Sequence, residues 1–167
     1  PTSAEEKTIQ AWLARRLKGE PLSRIKGMRE FWSLPFQLNE HTLDPRPESE
    51  LIIEAVLKWI GPRIHEPWRL LDLGTGSGCL LIALLHELKN ATGMGVDIEE
   101  KALSMARHNA ELNGVLSRAR FQISNWGEGN RESFDIIVSN PPYIPLQEKE
   151  TLEKAVLNYD PPRALFG

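Results

Sequence analysis

A four-residue run, Asn140-Pro141-Pro142-Tyr143, carries the most specific chemistry in the sequence. It follows an apolar run, residues 134–139, that is typical of a buried parallel strand. Two prolines directly after a strand end it and stiffen the loop. Such a loop would present the Asn140 amide and the Pro141 carbonyl as two fixed hydrogen-bond acceptors, with the Tyr143 ring as a flat surface. We therefore predict a site that captures a planar –NH2 group; a stiff loop without chemistry is the alternative.

A second candidate site lies in residues 70–78, which read LLDLGTGSG. This pattern is an apolar strand that runs into a glycine turn and then into a helix. Glycines allow the tight turn and let a ligand approach the backbone closely. Asp97 ends the next predicted strand, and a carboxylate there can accept both hydroxyls of a ribose. The sequence therefore predicts a nucleoside site at the carboxyl edge of a parallel sheet.

The spacing of the glycines indicates which nucleoside compound binds. A dinucleotide fingerprint needs Gly or Ala at position 79, where this chain has Cys79. The G-x-G-x-G pattern favours S-adenosylmethionine over NAD, and a strand–helix turn without a ligand is the alternative. We predict the cofactor-binding residues to be Asp72, Gly74, Thr75, Gly76, Gly78, Asp97, Ile98, Asn125, Trp126 and Asn140.

Several of these residues also have a purely structural interpretation. Asp72 could hold the cationic ammonium of a methionine moiety, or it could cap the amides of the glycine turn. Asn125 follows the third strand, where an adenine amino group could be read. Trp126 could stack beside the adenine ring or pack under the loop. Cys79 is interpreted as a small, buried apolar residue.

The elements that must position these residues alternate from residue 46 onward. Helices are predicted over 48–60, 77–88, 99–113 and 147–157, and strands over 68–73, 92–96, 119–123 and 134–139. Such alternation predicts an α/β fold, a parallel sheet with helices on both faces, and we expect the strand order 3-2-1-4. Upstream, residues 4–18 have helical spacing and residues 29–44 form a hairpin-like connector.

Composition excludes several classes of protein. The chain has 167 residues, 41% of them apolar and 26% charged, and a net charge of −3, so it is a globular protein without a strong overall attraction to nucleic acid. Only residues 1–29 are basic, with seven Lys/Arg against three Glu. A single cysteine excludes an internal disulfide and fits a reducing compartment, so we expect the cytoplasm. The sequence shows no membrane span, and its four histidines lack metal-ligand spacing, so no metal is expected.

These motifs together resemble the class I methyltransferases that alkylate planar nitrogens. That group includes nucleic-acid enzymes acting on adenine N6 or guanine N2 and protein enzymes acting on glutamine N5. Two upstream segments, REFW at 29–32 and LDPRPESE at 43–50, look like the connector and first-helix start of the HemK-type release-factor glutamine methyltransferases. The resemblance extends from about residue 21 over nearly the whole chain.

The resemblance implies a Rossmann-like fold that uses S-adenosylmethionine to methylate N5 of the glutamine in the Gly-Gly-Gln loop of peptide chain release factors. It implies Asn140, Pro141 and Tyr143 as catalytic residues. It also implies a substrate pocket formed by residues 140–143 together with Arg46 and Glu48, with Pro47 between them. For Arg46, the alternative is that it only precedes a proline-initiated helix. The family commonly has Asp at position 125, where this chain has Asn125.

The resemblance also suggests a domain organisation. Residues 1–20 would be the remnant of an N-terminal helical substrate-binding domain, 21–45 the connector and 46–167 a methyltransferase domain whose C-terminal part is missing. Strand four would then be an exposed apolar edge. Two other functions stay open. One is a methyltransferase acting on the exocyclic amines of nucleic acid, whose phosphates the basic N-terminal segment could contact, although the sequence lacks an aromatic-rich basic recognition region. The other is a non-catalytic binding module.

Overall fold

A computed structural model describes residues 2–167; Pro1, the first residue of the predicted segment 1–20, lies outside the described residues. The chain starts with two helices, α1 (Ser3–Leu17) and α2 (Leu22–Lys26). The first helix begins with a capping box, in which the Thr2 hydroxyl accepts from the Glu5 amide and the Glu5 carboxylate accepts from the Thr2 amide. The helix predicted over 4–18 is therefore present. None of its residues is buried, and its apolar side chains face solvent.

The connector is an antiparallel hairpin, as the sequence predicted. Strands β1 (Met28–Phe31) and β2 (Leu34–Gln37) pair through a two-residue turn. Trp32 and Ser33 form that turn with positive φ angles of 52° and 56°, which is the geometry of a tight hairpin turn. Phe31 and Phe36 are fully buried and meet edge to face, with ring centroids 6.1 Å apart. The hairpin is therefore anchored to the main core.

The rest of the chain is the alternating α/β unit. Its helices are α3 (Glu50–Ile60), preceded by a 3-10 turn (Pro47–Ser49), α4 (Cys79–Glu87), α5 (Glu100–Leu112), α6 (Lys154–Tyr159) and α7 (Pro162–Leu165). Its strands are β3 (Arg69–Leu73), β4 (Thr92–Asp97), β5 (Ala119–Ile123) and β6 (Ile136–Ser139). Seven of the eight elements predicted from residue 46 onward are found within a few residues of their expected bounds.

The four strands form one parallel sheet in the order β5-β4-β3-β6. This order confirms the predicted 3-2-1-4 arrangement. Leu73 pairs with Val96 on one side and with Ser139 on the other. The residues that follow these strands therefore meet at one edge of the sheet.

The core lies between the sheet and its helices. Helix α4 is apolar on every side, as expected of a helix that is surrounded by core, and residues 80–85 are all buried. The helix packs so closely on β4 that a Cβ at Gly93 would lie 2.4 Å from Leu81 Cδ1. Strand β6 pairs only with β3 in the part of the chain described, and its Ile137 side chain is 60% exposed. The edge that strand four was predicted to expose is thus present in the structure.

The single helix predicted over 147–157 is wrong. A 3-10 helix covers Leu146–Thr151, the backbone is extended at Leu152 (ψ 149°), and α6 follows. Only the second part has apolar side chains that pack inward, whereas Leu146 is exposed. Without one continuous apolar face, the segment lacks the packing that sustains a long helix.

No helix among residues 2–167 is long and apolar enough to cross a membrane.

Candidate active site

The carboxyl edge of the sheet opens into a cavity of about 570 Å³, a size that suits a small-molecule ligand. Eight of the predicted site residues line it: Gly74, Gly76, Asp97, Ile98, Asn125, Trp126, Asn140 and Pro142. The structure thus brings residues from both predicted sites into one cavity. Asp72, Thr75, Gly78, Pro141, Tyr143, Arg46 and Glu48 do not line it.

The glycine turn forms one wall through its backbone. The amides of Gly74 and Thr75 both donate to the carbonyl of Val96, each at 2.9 Å, which ties the turn to β4. Gly74 and Gly76 have φ angles of 70° and 54°, a region that side chains disfavour. Gly78 also has a positive φ, 83°, and in addition a Cβ there would lie 2.8 Å from Ile82 Cδ1.

Asp97 is held rigidly at the end of β4. One carboxylate oxygen, Oδ2, accepts from the Gly76 amide at 2.9 Å, and Oδ1 accepts from the Glu99 amide at 3.0 Å. A carboxylate has about four lone-pair positions, so two acceptor positions remain. The backbone therefore orients Asp97 while leaving it able to accept the hydroxyls of a ribose.

Asp72 lies beneath the glycine turn and is 1% exposed. Its Oδ2 accepts from Thr75 Oγ1 at 2.7 Å, whereas its buried Oδ1 has no hydrogen-bond partner. Burial raises the pKa of this carboxyl to about 6; the charge of Asp97 also raises it, and the Thr75 hydrogen bond lowers it. The Thr75 contact supports the structural interpretation of Asp72, and the unpartnered Oδ1 leaves an acceptor for a cationic donor.

The loop after β5 forms another wall. The Asn125 carbonyl accepts from the Glu128 amide at 3.1 Å, and Ser124 Oγ donates to the Glu128 carbonyl at 3.0 Å. These bonds close a tight turn in which Trp126 has a positive φ of 57°. The indole is 46% exposed and lines the cavity. Trp126 is therefore placed as a cavity wall and not as a core residue.

The loop after β6 brings Asn140 to the cavity. Its Nδ2 donates to Ser49 Oγ at 3.1 Å, and the preceding Ser139 Oγ donates to the Leu73 carbonyl at 2.8 Å. The amide oxygen of Asn140 is then the atom left to accept from a ligand. Tyr143 is 76% exposed, so its ring stands in solvent.

Arg46 pairs with the carboxylate of Asp160, near the C-terminal end of the chain. Its Nη2 lies 2.5 Å from Asp160 Oδ2, and Arg24 Nη2 lies 2.6 Å from Asp160 Oδ1. Asp160 is buried and directly precedes residues 161–164, which line the cavity. Arg46 is thus connected to the cavity through Asp160.

Several cavity residues carry no signal in the sequence pattern. The connector contributes Glu40, His41 and Leu43, and the C-terminal segment contributes residues 161–164. Neither segment has a recognisable ligand motif or a helical or strand periodicity. The Asp160-Pro161-Pro162 run could have indicated a second rigid loop, by the same reasoning that singled out Asn140-Pro141-Pro142.

Within residues 2–167, no group of three or more His, Cys, Asp or Glu side chains is arranged to hold a metal ion.

A profile of the methyltransferase domain matches residues 64–164, which is more than half of the chain. The chain belongs to the methyltransferase domain family. Its fold is the Rossmann-like fold of the class I S-adenosylmethionine-dependent methyltransferases, as the sequence predicted. The catalytic domain of hMettl16, solved with an RNA hairpin, has the same fold: it is 18% identical, with a TM-score of 0.64 over 81% of this chain and 51% of that chain.

Curated relatives are more similar to this chain in sequence than the hMettl16 domain is. The release factor glutamine methyltransferase of Rhodospirillum rubrum is 46% identical over 99% of this chain and 50% of its own length. The release factor glutamine methyltransferase of Bradyrhizobium diazoefficiens is 44% identical over 99% of this chain and 56% of its own length. The chain spans about half the length of the curated relatives it matches.

Proposed function

We propose that this methyltransferase domain transfers a methyl group from S-adenosylmethionine to N5 of the glutamine in the Gly-Gly-Gln loop of peptide chain release factors. The observation that carries the proposal is the single cavity lined by both Asp97 and Asn140. One is a fixed carboxylate suited to a ribose, and the other is a fixed amide suited to a planar –NH2 group. The names of the relatives at 46% and 44% identity support the same activity.

The residues present fit S-adenosylmethionine. Asp97 retains two acceptor positions, the positive-φ glycines leave the turn without side chains, and Asp72 has a buried, unpartnered oxygen. Asp97 would hold the ribose, Asn125 and Trp126 the adenine, and Asp72 the ammonium of the methionine moiety. When bound, the cofactor supplies an electrophilic methyl group on a sulfonium.

The protein's contribution is the placement of the substrate amide. The nitrogen lone pair of a carboxamide is delocalised into its carbonyl, so the nitrogen is a weak nucleophile. Asn140 Oδ1 and the Pro141 carbonyl each accept one of its N–H groups, which directs the lone pair toward the cavity. As the nitrogen loses electron density these hydrogen bonds strengthen, and stabilisation that grows toward the transition state raises the rate.

Further residues complete the proposed substrate site. Pro142 makes the loop rigid, and the exposed ring of Tyr143 covers the planar amide. Arg46 acts from outside the cavity through Asp160, and Glu48 belongs to the helix-opening turn Pro47–Ser49 that follows Arg46.

Residues 1–20, with the exposed apolar side of α1, would belong to a helical domain that binds the release factor. Release factors work in translation, so we place the protein in the cytoplasm.

The direct test is the mass of a release factor after incubation with this protein and S-adenosylmethionine. We expect the mass of one added methyl group, mapped by peptide mass spectrometry to the glutamine of the Gly-Gly-Gln loop. A release factor with that glutamine replaced by alanine is the control and should stay unmodified.

Two other results would replace the proposal. Methyl transfer to an adenine- or guanine-containing oligonucleotide, with none to the release factor, would identify a nucleic-acid methyltransferase. Cofactor binding without transfer to either substrate would identify a binding module.

A further inference from the structure

We propose that Ser49 is a positioning residue that fixes the orientation of the Asn140 amide. The inference rests on the proposed function, in which Asn140 accepts from the substrate amide. Ser49 Oγ lies 3.1 Å from Asn140 Nδ2, and the serine is buried, with 8% of its surface exposed. The two residues are 91 positions apart in the chain, so this contact exists only in the folded molecule.

Ser49 has the residue type and position of a helix cap, but it does not act as one. It immediately precedes α3, where a serine hydroxyl ordinarily accepts from a backbone amide of the first helical turn. Here Ser49 makes no side-chain capping bond, because the 3-10 turn over Pro47–Ser49 gives its backbone helical angles, φ −69° and ψ −15°. Its hydroxyl is directed to Asn140 instead.

The contact holds the Asn140 amide in one plane, with one of its two polar atoms left for a substrate. With Nδ2 donating to Ser49, the Oδ1 atom is free to accept. If the amide were reversed, its –NH2 group would face the –NH2 group of the substrate, and two donors would meet. The terminal torsion of asparagine is broad and roughly two-fold, so the loop backbone alone does not select the productive orientation. The hydrogen bond to the Ser49 hydroxyl restricts this torsion and so fixes the plane of the Asn140 amide.

Ser49 is itself held by its surroundings. Its backbone amide donates to the Arg46 carbonyl at 2.9 Å. The next residue, Glu50, accepts from the Trp32 amide of the hairpin at 2.7 Å, and Ile53 one turn later is fully buried. The start of α3, which carries Ser49, is therefore anchored on two sides.

The kinetic test compares Ser49→Ala with Ser49→Thr in the full chain. We expect Ser49→Ala to lower kcat about tenfold, the value of one well-oriented hydrogen bond, with KM for the cofactor within about twofold of the unchanged protein. Threonine keeps the hydroxyl and should restore kcat. In an Asn140→Ala background, Ser49→Ala should have no further effect on kcat, because the group that it orients is gone. Normal turnover of Ser49→Ala, or a Thr variant as slow as the Ala variant, would overturn the inference.

A second measurement does not depend on activity. The side-chain –NH2 signals of Asn140, assigned by their loss in Asn140→Ala, should shift in the NMR spectrum of Ser49→Ala and return in Ser49→Thr. The side-chain amide of Asn113, which donates to the Pro35 carbonyl at 2.9 Å, serves as an internal reference. If the unchanged protein methylates no release factor, the proposed function fails while this spectrum still tests the Ser49 contact. Unshifted Asn140 signals in Ser49→Ala would overturn the inference whatever the activity.

Discussion

The two sides of the cavity are assembled in different ways. The part of the nucleoside region that would hold the ribose and the methionine moiety, residues 72–99, comes from one strand–helix unit and the strand after it. Its key contact, Gly76 to Asp97, joins residues 21 positions apart. The amide region consists of Asn140, Ser49 and Asp160 with its two arginines. Its contacts join residues 91 and 136 positions apart. One region is nearly local in sequence, and the other exists only when distant segments meet.

This difference has a physical consequence. Backbone amides hold the nucleoside region, so it needs little beyond a correctly formed β3–α4–β4 unit. The amide region depends on a hydroxyl and a buried ion pair from other parts of the chain. Loss of one long-range contact should therefore damage the amide region while leaving nucleoside binding largely intact.

The largest expected effect is the loss of stability caused by replacing Asp160. Its side chain is 5% exposed and that of Arg24 is 8% exposed. Asp160→Ala leaves a buried arginine without its partner, which typically costs about 3–5 kcal/mol. We expect a loss of that order in the free energy of unfolding, measured by urea denaturation.

Glu132→Ala is the matched control for Asp160. Glu132 also joins two arginines, Arg69 and Arg120, but all three side chains are well exposed. Screening by solvent makes such pairs weak, so we expect a much smaller change in unfolding free energy. Equal losses in the two variants would show that burial of the ion pair is not what stabilises the amide region.

Asn140→Ala should separate the two regions most sharply. It removes an oriented acceptor for the substrate amide, on the order of 3 kcal/mol, or about a hundredfold in kcat. The dissociation constant for S-adenosylhomocysteine should stay nearly unchanged. Asn113→Ala is the control: its side-chain amide donates to the Pro35 carbonyl and does not line the cavity, so this variant should turn over normally. Near-normal kcat in Asn140→Ala would remove Asn140 from the mechanism.

Asp97→Ala should do the reverse and weaken cofactor binding. It removes a charged acceptor for the ribose hydroxyls, about 1.5–3 kcal/mol, as measured by calorimetry with S-adenosylhomocysteine. The control is Asp135→Ala. Asp135 also accepts a backbone N–H, from Arg69 at 2.8 Å, but just before β6, at the amino end of the sheet. An unchanged dissociation constant in Asp97→Ala would make Asp97 a structural residue only.

The smallest effect is a pH dependence within the nucleoside region. The pKa of Asp72 is raised to about 6 by burial, and a cationic ammonium would favour its ionised form. Affinity for S-adenosylmethionine should therefore be highest above pH 6 and fall as the pH drops below it, by about tenfold at one unit lower. Asp72→Asn should bind more weakly and show no such fall. A similar fall in the Asn variant would assign the pH dependence to another group.

The raised pKa of Asp72 has the opposite effect on the stability of the free protein, which should fall as the pH rises. Asp72 has an ordinary pKa of 3.8 when unfolded and about 6 when folded, so the folded state holds this proton more tightly. Its ionisation therefore lowers the free energy of unfolding as the pH rises from about 4 to about 6. Above that window the penalty is fully present, and Asp72→Asn should remove it.

The prediction that failed shows where sequence patterns stop being informative. Residues 147–157 were expected to form one helix, but the chain is extended at Leu152. Each strand and its neighbouring glycines are specified by local periodicity and turn chemistry. The C-terminal segment is specified by what it touches, above all the Arg24–Asp160 ion pair, and no local pattern indicates that contact.

The sequence by itself determined the parallel sheet, its strand order, the glycine turn and the two loops that carry Asp97 and Asn140. It could do so because period-two and helical patterns, glycines and prolines restrict the backbone locally. Only the tertiary structure decided that Ser49 contacts Asn140, that Arg46 pairs with Asp160, and that residues 161–164 close the cavity. These contacts depend on how segments far apart in the sequence pack against each other, and no local sequence pattern indicates which distant residues will meet.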